Sequence, residues 1–176
     1  MKFIDFKLLA VAVFVVFSTG HVALAGNASK PNPAVEVKLT AFKVIVDVLT
    51  KKEVLTAANK VAPGDLLEYK ARYQNNGNAL LKRVTATLPL PIGMTYIAGS
   101  AKPANALAST DGSSYETIPL KRMVKQPNGK LEEQLIPLSQ YRSLRWNLNE
   151  LAGKSKVEVS ARVKVDNGFT NETTSK

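Results

Sequence analysis

Apolar and polar residues alternate with a period of two along most of the chain from Val35 onward, the pattern of strands half buried in a sheet. Val35, Val37 and Leu39 alternate with Glu36, Lys38 and Thr40. The apolar phase then moves to Phe42, Val44, Val46 and Val48. A one-residue slip turns the buried face over, so a β-bulge or a crossing between sheets is expected near Ala41. Lys51-Lys52-Glu53 turns the chain and residues 54–56 return as a short strand. Residues 50–61 also admit a helix, through Ala57, Ala58 and mixed charges, although Val54, Thr56 and Val61 favour extended structure. After the Pro63-Gly64 turn, Leu67, Tyr69, Ala71 and Tyr73 share one face and Glu68, Lys70, Arg72 and Gln74 the other. Asn75-Asn76-Gly77-Asn78 reads as a hairpin reversal, because Asn-Gly tolerates left-handed backbone. Val84, Ala86 and Leu88 follow, and Pro89 and Pro91 end that strand because proline donates nothing to a ladder.

Residues 94–97 form a further short strand, residues 100–114 read as loop, and residues 115–124 as extended chain. A second Asn-Gly turn, Gln126-Pro127-Asn128-Gly129-Lys130, predicts a β-hairpin leading into residues 131–138. Leu144, Trp146 and Leu148 alternate with Arg145 and Asn147, and Ala152-Gly153-Lys154 turns. The strictest alternation comes last, with Val157, Val159, Ala161, Val163 and Val165 inward and Lys156, Glu158, Ser160, Arg162 and Lys164 outward. Short strands separated by turn signals predict an all-β sandwich or barrel with antiparallel sheets. Trp146, Phe42 and Val159 are expected in its core.

The start of the chain follows a different pattern. Residues 8–17 are an unbroken apolar run behind Lys2 and Lys7, shorter than the about 20 residues a membrane helix needs. Ser18, Thr19 and Gly20 break the run, and Ala23-Leu24-Ala25 fits a small-x-small cleavage site. Residues 1–25 are therefore expected to be a signal peptide, with an uncleaved anchor as the alternative. Residues 26–34 read as a flexible leader, 35–166 as one domain and 167–176 as a polar tail. The chain carries a net charge of +10. Export argues against nucleic acid and leaves anionic envelope components or acidic proteins as partners, unless the lysines only solubilise sheet faces and blunt edges.

Composition narrows the chemistry. The one histidine, His21, lies in the expected signal, and there is no cysteine. That removes histidine triads, thiol nucleophiles and nearly all zinc or copper sites. Glu132 and Glu133 are adjacent and point to opposite faces of a strand, so they do not pair. Ser155 lies between Lys154 and Lys156 as solvated charge, and Ser109-Thr110-Asp111-Gly112-Ser113 has one acid where a calcium loop has several. No cofactor is expected. The candidate contact surface is basic: Lys121, Arg122 and Lys125 in one extended segment, Lys130 at the hairpin tip and Arg142 beyond it, with Tyr115 and Tyr141 nearby. Such a surface suits an acidic glycan, a lipid head group or an acidic protein.

Two segments carry a family resemblance. The first comprises Pro63-Gly64-Asp65, Tyr69, Asn76-Gly77, Leu88-Pro89, Gly93-Met94-Thr95-Tyr96 and Gly99-Ser100. The second comprises Leu144-Arg145-Trp146-Asn147-Leu148, Leu151-Ala152-Gly153 and the valine-rich last strand. Over residues 44–165 the chain resembles the bacterial conserved repeat domain, domain of unknown function eleven. That resemblance implies an antiparallel Ig-like Greek-key β-sandwich on an exported envelope or surface protein, here as a single copy without repeats. It implies no activity and no site residues. The expected protein is a non-enzymatic periplasmic or secreted module of a Gram-negative bacterium that binds a partner through a sheet edge or the basic hairpin. The alternatives are a periplasmic carrier with a cavity between its sheets and a carboxylate hydrolase. Export processing is expected to leave Gly26 as the first residue, and the intact mass of protein recovered from the cell envelope checks this: a species retaining residues 1–25 means an uncleaved anchor.

Overall fold

A computed structural model of the chain describes residues 4–5 and 35–168. Apart from residues 4–5, the expected signal peptide and leader lie outside the described residues, as does most of the polar tail. The strands in chain order are β1 (Ile4–Asp5), β2 (Val35–Val46), β3 (Glu53–Ala57), β4 (Lys60–Val61), β5 (Leu66–Asn75), β6 (Leu81–Pro89) and β7 (Met94–Tyr96). They continue as β8 (Leu107–Ser109), β9 (Glu116–Thr117), β10 (Lys121–Lys125), β11 (Leu131–Leu135), β12 (Ser143–Leu151) and β13 (Lys156–Val165). A single 3-10 turn, Leu138–Gln140, precedes β12, and the described residues contain no α-helix.

Every pairing is antiparallel. One sheet runs β3-β2-β5-β13-β7 and the other β6-β12-β8-β9; β10 pairs only with β11, and β1 only with β4. The fold is thus all-β, and the two larger sheets share one core. Leu67, Tyr69, Ala71 and Tyr73 of β5 and Val159, Ala161, Val163 and Val165 of β13 meet Ala86 and Leu88 of β6 and Leu144 and Trp146 of β12. These are the inward positions the alternation predicts. The polar tips of the large aromatics are satisfied inside the core, as burial requires. Tyr73 Oη donates to the Thr87 carbonyl at 2.7 Å and accepts from the Thr87 amide at 2.7 Å, tying β5 to β6 across the two sheets. Trp146 Nε1 donates to the Pro103 carbonyl at 2.7 Å.

Three expectations are corrected. No bulge or crossing occurs near Ala41: β2 keeps one continuous register against β5 from Val35 to Lys43. The apolar residues change face, while the backbone does not. Phe42 pairs with Glu68 and shares that outer face, with the Lys70 ammonium 5.6 Å from its ring, so it is not a core residue. The pattern shifts at Phe42, where β3 begins to pair with β2 just before the pairing with β5 ends. Past Lys43 only β3 pairs with β2, and Glu53 of β3 makes a forked ion pair with Arg162 of β13. The β2–β3 hairpin therefore leans over the outer face of its sheet; Val44 is buried, while Ile45, Val46, Val54 and Leu55 are exposed. The second correction concerns residues 100–114, which contain β8 as well as loop.

The third correction is at Asn75-Asn76-Gly77-Asn78. This segment is not a hairpin turn, because β5 and β6 belong to different sheets. It carries the chain from one sheet to the other, and residues 152–155 carry it back between β12 and β13. The two crossings are stitched together. The buried Asn75 amide nitrogen lies 2.8, 3.1 and 3.0 Å from the carbonyls of Ala79, Leu151 and Ala152, and its Oδ1 accepts from Gly77 at 2.9 Å. Lys154 donates its backbone amide to Gly77 O at 2.9 Å and its Nζ to Asn76 O at 2.6 Å. Gly153 is obligatory here, since a Cβ on it would sit 2.0 Å from the Asn78 carbonyl oxygen.

Asn75→Ala should cost about 2–3 kcal/mol by leaving buried carbonyls without a donor. Val159→Asp should cost about 4 kcal/mol or more by burying an unpaired charge on a fully enclosed position. Urea titration checks both; unchanged midpoints would refute the crossing and the face assignment respectively.

Candidate binding surface on the β10–β11 arm

The chain leaves the second sheet at β9, passes the cis Ile118–Pro119 peptide, and enters β10 after the buried Leu120. Leu120 is the root of an arm. Its amide donates to Tyr141 Oη at 2.8 Å, and its carbonyl accepts from the Ile136 amide at 2.9 Å. Tyr141 is fully buried and stacks on Tyr96 with ring centres 5.8 Å apart. Beyond this root, β10 and β11 pair from Lys121 with Leu135 to Lys125 with Leu131, and no third described strand pairs with them. Gln126 donates to Lys130 O at 2.8 Å across a loop in which Gly129 takes φ 81°, the left-handed corner of a three-residue hairpin. The hairpin expected from Pro127-Asn128-Gly129 is therefore present.

The register decides what the arm displays. Paired residues share a face, so Lys121, Met123 and Lys125 lie with Leu135, Glu133 and Leu131. Arg122 and Val124 lie on the other face with Gln134 and Glu132. Met123 is 60 % exposed, and Leu131 and Leu135 are each 64 % exposed. The arm is thus an apolar face rimmed by lysines, with acids among them, and not a uniformly basic strip. Lys121 Nζ is paired with Glu133 Oε2 at 2.9 Å. Lys125 and Lys130 are exposed near the tip, where the Lys130 amide donates to Asn128 Oδ1 at 2.9 Å.

The other predicted members separate from this group. Arg142 donates Nη1 to the carbonyls of Ser139 at 2.7 Å and Tyr141 at 3.0 Å, closing the turn before β12. Tyr141 faces the core and not the surface. Tyr115 lies 3.5 Å under the Arg145 guanidinium and donates to Ser143 Oγ at 2.9 Å, so it braces the sheet and does not flank Lys121. At the foot of the arm a shallow depression of about 430 Å³ is lined by Ile118, Pro119, Lys121, Arg122, Met123 and the acids Glu116 and Glu133. The apolar face of Met123, Leu131 and Leu135 was missed by reading charge alone. Counting the pairing outward from Asn128-Gly129 would have exposed it.

Several carboxylates elsewhere are engaged in structure. Glu53 and Glu68 converge on Arg162, at 2.7 Å from Nη2 and 3.1 Å from Nε respectively. Hydrogen bonding to Arg162 holds the Glu53 carboxyl below its ordinary value, the opposite of what a general acid requires. The Asp111 carboxyl is also held low, by the amides of Ser113 and Ser114 and the Ser109 hydroxyl. The residues flagged as a poor calcium loop thus form a capped turn, and the described residues contain no group of three or more possible metal ligands. Burial pushes the Tyr69 phenol up to about 12, as fits a core side chain. No helix among the described residues is long and apolar enough to cross a membrane. Comparison with protein-family models, with curated proteins and with solved structures finds no match.

Tyr141→Phe removes the acceptor of a buried amide at the root and should cost about 1–3 kcal/mol. Its signature is faster amide hydrogen exchange at Leu120 and Ile136 than in β5 or β13. Uniform acceleration would mean the arm is anchored elsewhere.

Proposed function

We propose that this protein is a non-enzymatic partner-binding module of the bacterial envelope, exported by a signal peptide that ends at Ala25. Its two facing antiparallel sheets suit an Ig-like Greek-key sandwich of the conserved-repeat kind. Cleavage after Ala25 would take β1 with it and leave both larger sheets whole, since β1 pairs only with β4. The expected leader, with a single copy of the domain in a small chain, supports periplasmic or secreted placement in a Gram-negative bacterium.

One observation carries the reading: the β10–β11 arm presents Met123, Leu131 and Leu135 as an apolar face left largely exposed among the described residues. Its ten strand residues bury little, and their ladder leaves both outer edges open. An extended segment of a partner protein can add to such an edge while its side chains meet Met123, Leu131 and Leu135. The flanking Lys121, Lys125 and Lys130 favour an acidic segment. The carrier alternative has less support, because Trp146, Tyr96, Tyr141, Leu67 and Leu88 fill the space between the sheets.

A photo-crosslinking residue at Leu131 in envelope preparations should capture one discrete adduct. Serine at Met123, Leu131 and Leu135, tested with the crosslinker at Lys125, should reduce capture at least tenfold without lowering the melting temperature. Gln at Lys121, Arg122 and Lys125 together should weaken capture less and make it insensitive to salt. Full capture by the serine variant would dismiss the arm.

A further inference from the structure

The β2–β3 hairpin carries a second unpartnered apolar surface. Its turn exposes Val48 by 77 % and Leu49 by 91 %, and Ile45, Val46 and Val54 behind them are exposed too. Isolated exposed apolar residues need no explanation, but a contiguous set at a hairpin tip does. The tip is held in place. Asp47 Oδ1 accepts from the amides of Leu49 at 3.0 Å and Thr50 at 2.7 Å and from the Thr50 hydroxyl at 2.9 Å. The Asp47 backbone closes the loop with Lys51 and Lys52, each at 2.9 Å. Glu53, at the base of the turn, is forked onto Arg162.

The charges sort accordingly. Both acids of the hairpin turn are committed inside the protein, whereas Lys51 and Lys52 are exposed and make no ion pair among the described residues. A fixed pair of apolar side chains with lysines directly behind it matches the layering of an anionic membrane surface, where acyl chains lie beneath phosphates. We infer that the 47–52 turn is a membrane-contact tip: Val48 and Leu49 enter the interface of an anionic bilayer while Lys51 and Lys52 meet its phosphates. The net charge of +10 works in the same direction. The surface is separate from the β10–β11 arm, so it stands whether or not the arm binds a protein.

The chain has no cysteine, so Leu49→Cys gives a unique attachment point for an environment-sensitive fluorophore on the full chain. With phosphatidylglycerol-containing vesicles, the label at position 49 should move to an apolar environment. A label at Asn128→Cys, on the arm tip, should stay in water. Gln at both Lys51 and Lys52 should weaken the response about thirtyfold, at about 1 kcal/mol per lysine. Pure phosphatidylcholine vesicles should elicit little. A label at position 49 that stays in water while the protein sediments with the vesicles would overturn the inference, since the contact would then lie elsewhere, the N-terminal apolar run included. A shift that needs no lipid and grows with protein concentration would also overturn it, in favour of self-association along β3.

Discussion

The buried carboxamide of Asn75 sits where the chain twice changes sheet, and the architecture turns on that knot. A sandwich needs its strands to cross between layers somewhere, and each crossing strands backbone carbonyls away from water. Two of the four crossings between the larger sheets, β5 to β6 and β12 to β13, lie together here. One side chain serves three carbonyls and one amide drawn from both of them. The absence of a side chain at Gly153 lets the second crossing lie directly against Asn78. With that end closed, β5 and β13 can run side by side over nine paired positions and present Tyr69, Tyr73, Val159 and Val163 to the opposite sheet.

The same knot shows where sequence reading succeeds and where it stops. Alternation located the strands and the inward residues of β5, β6, β12 and β13, because a period of two has one buried solution once one face is apolar. It could not say which strands pair. Asn75-Asn76-Gly77-Asn78 has hairpin chemistry, yet the neighbouring strands go to different sheets, and none of the four residues takes the left-handed backbone a tight reversal uses. The slip at Ala41 was misleading for a related reason. A change of apolar face normally signals a bulge, but β2 simply outlives its neighbour β5. Phe42, still paired with Glu68, and Val44, past the end of that pairing, answer to the outer surface and to the leaning β3.

The candidate surface was half legible. Lys121, Arg122, Lys125 and Lys130 do lie on a hairpin, as the Asn-Gly signal implied. Linear clustering merged residues that the pleat separates: Arg122 faces away from Lys121, and Glu132 and Glu133 bring acid to both faces. Arg142 and the tyrosines were grouped by nearness in sequence and proved to be braces for the turn, the root and the sheet. The apolar strip of the arm escaped notice because its members come from two strands and only the pairing brings them together.

The single-point rooting of the arm has a further consequence. Leu120, Ile136 and Tyr141 carry its attachment, whereas the residues from Lys121 to Leu135 bury little and support no other strand. Recognition and folding are therefore written in separate residues. The arm can be recoded, lengthened or exchanged for another hairpin at little cost to the core, which makes this domain a natural scaffold for altering what is bound while leaving what folds untouched.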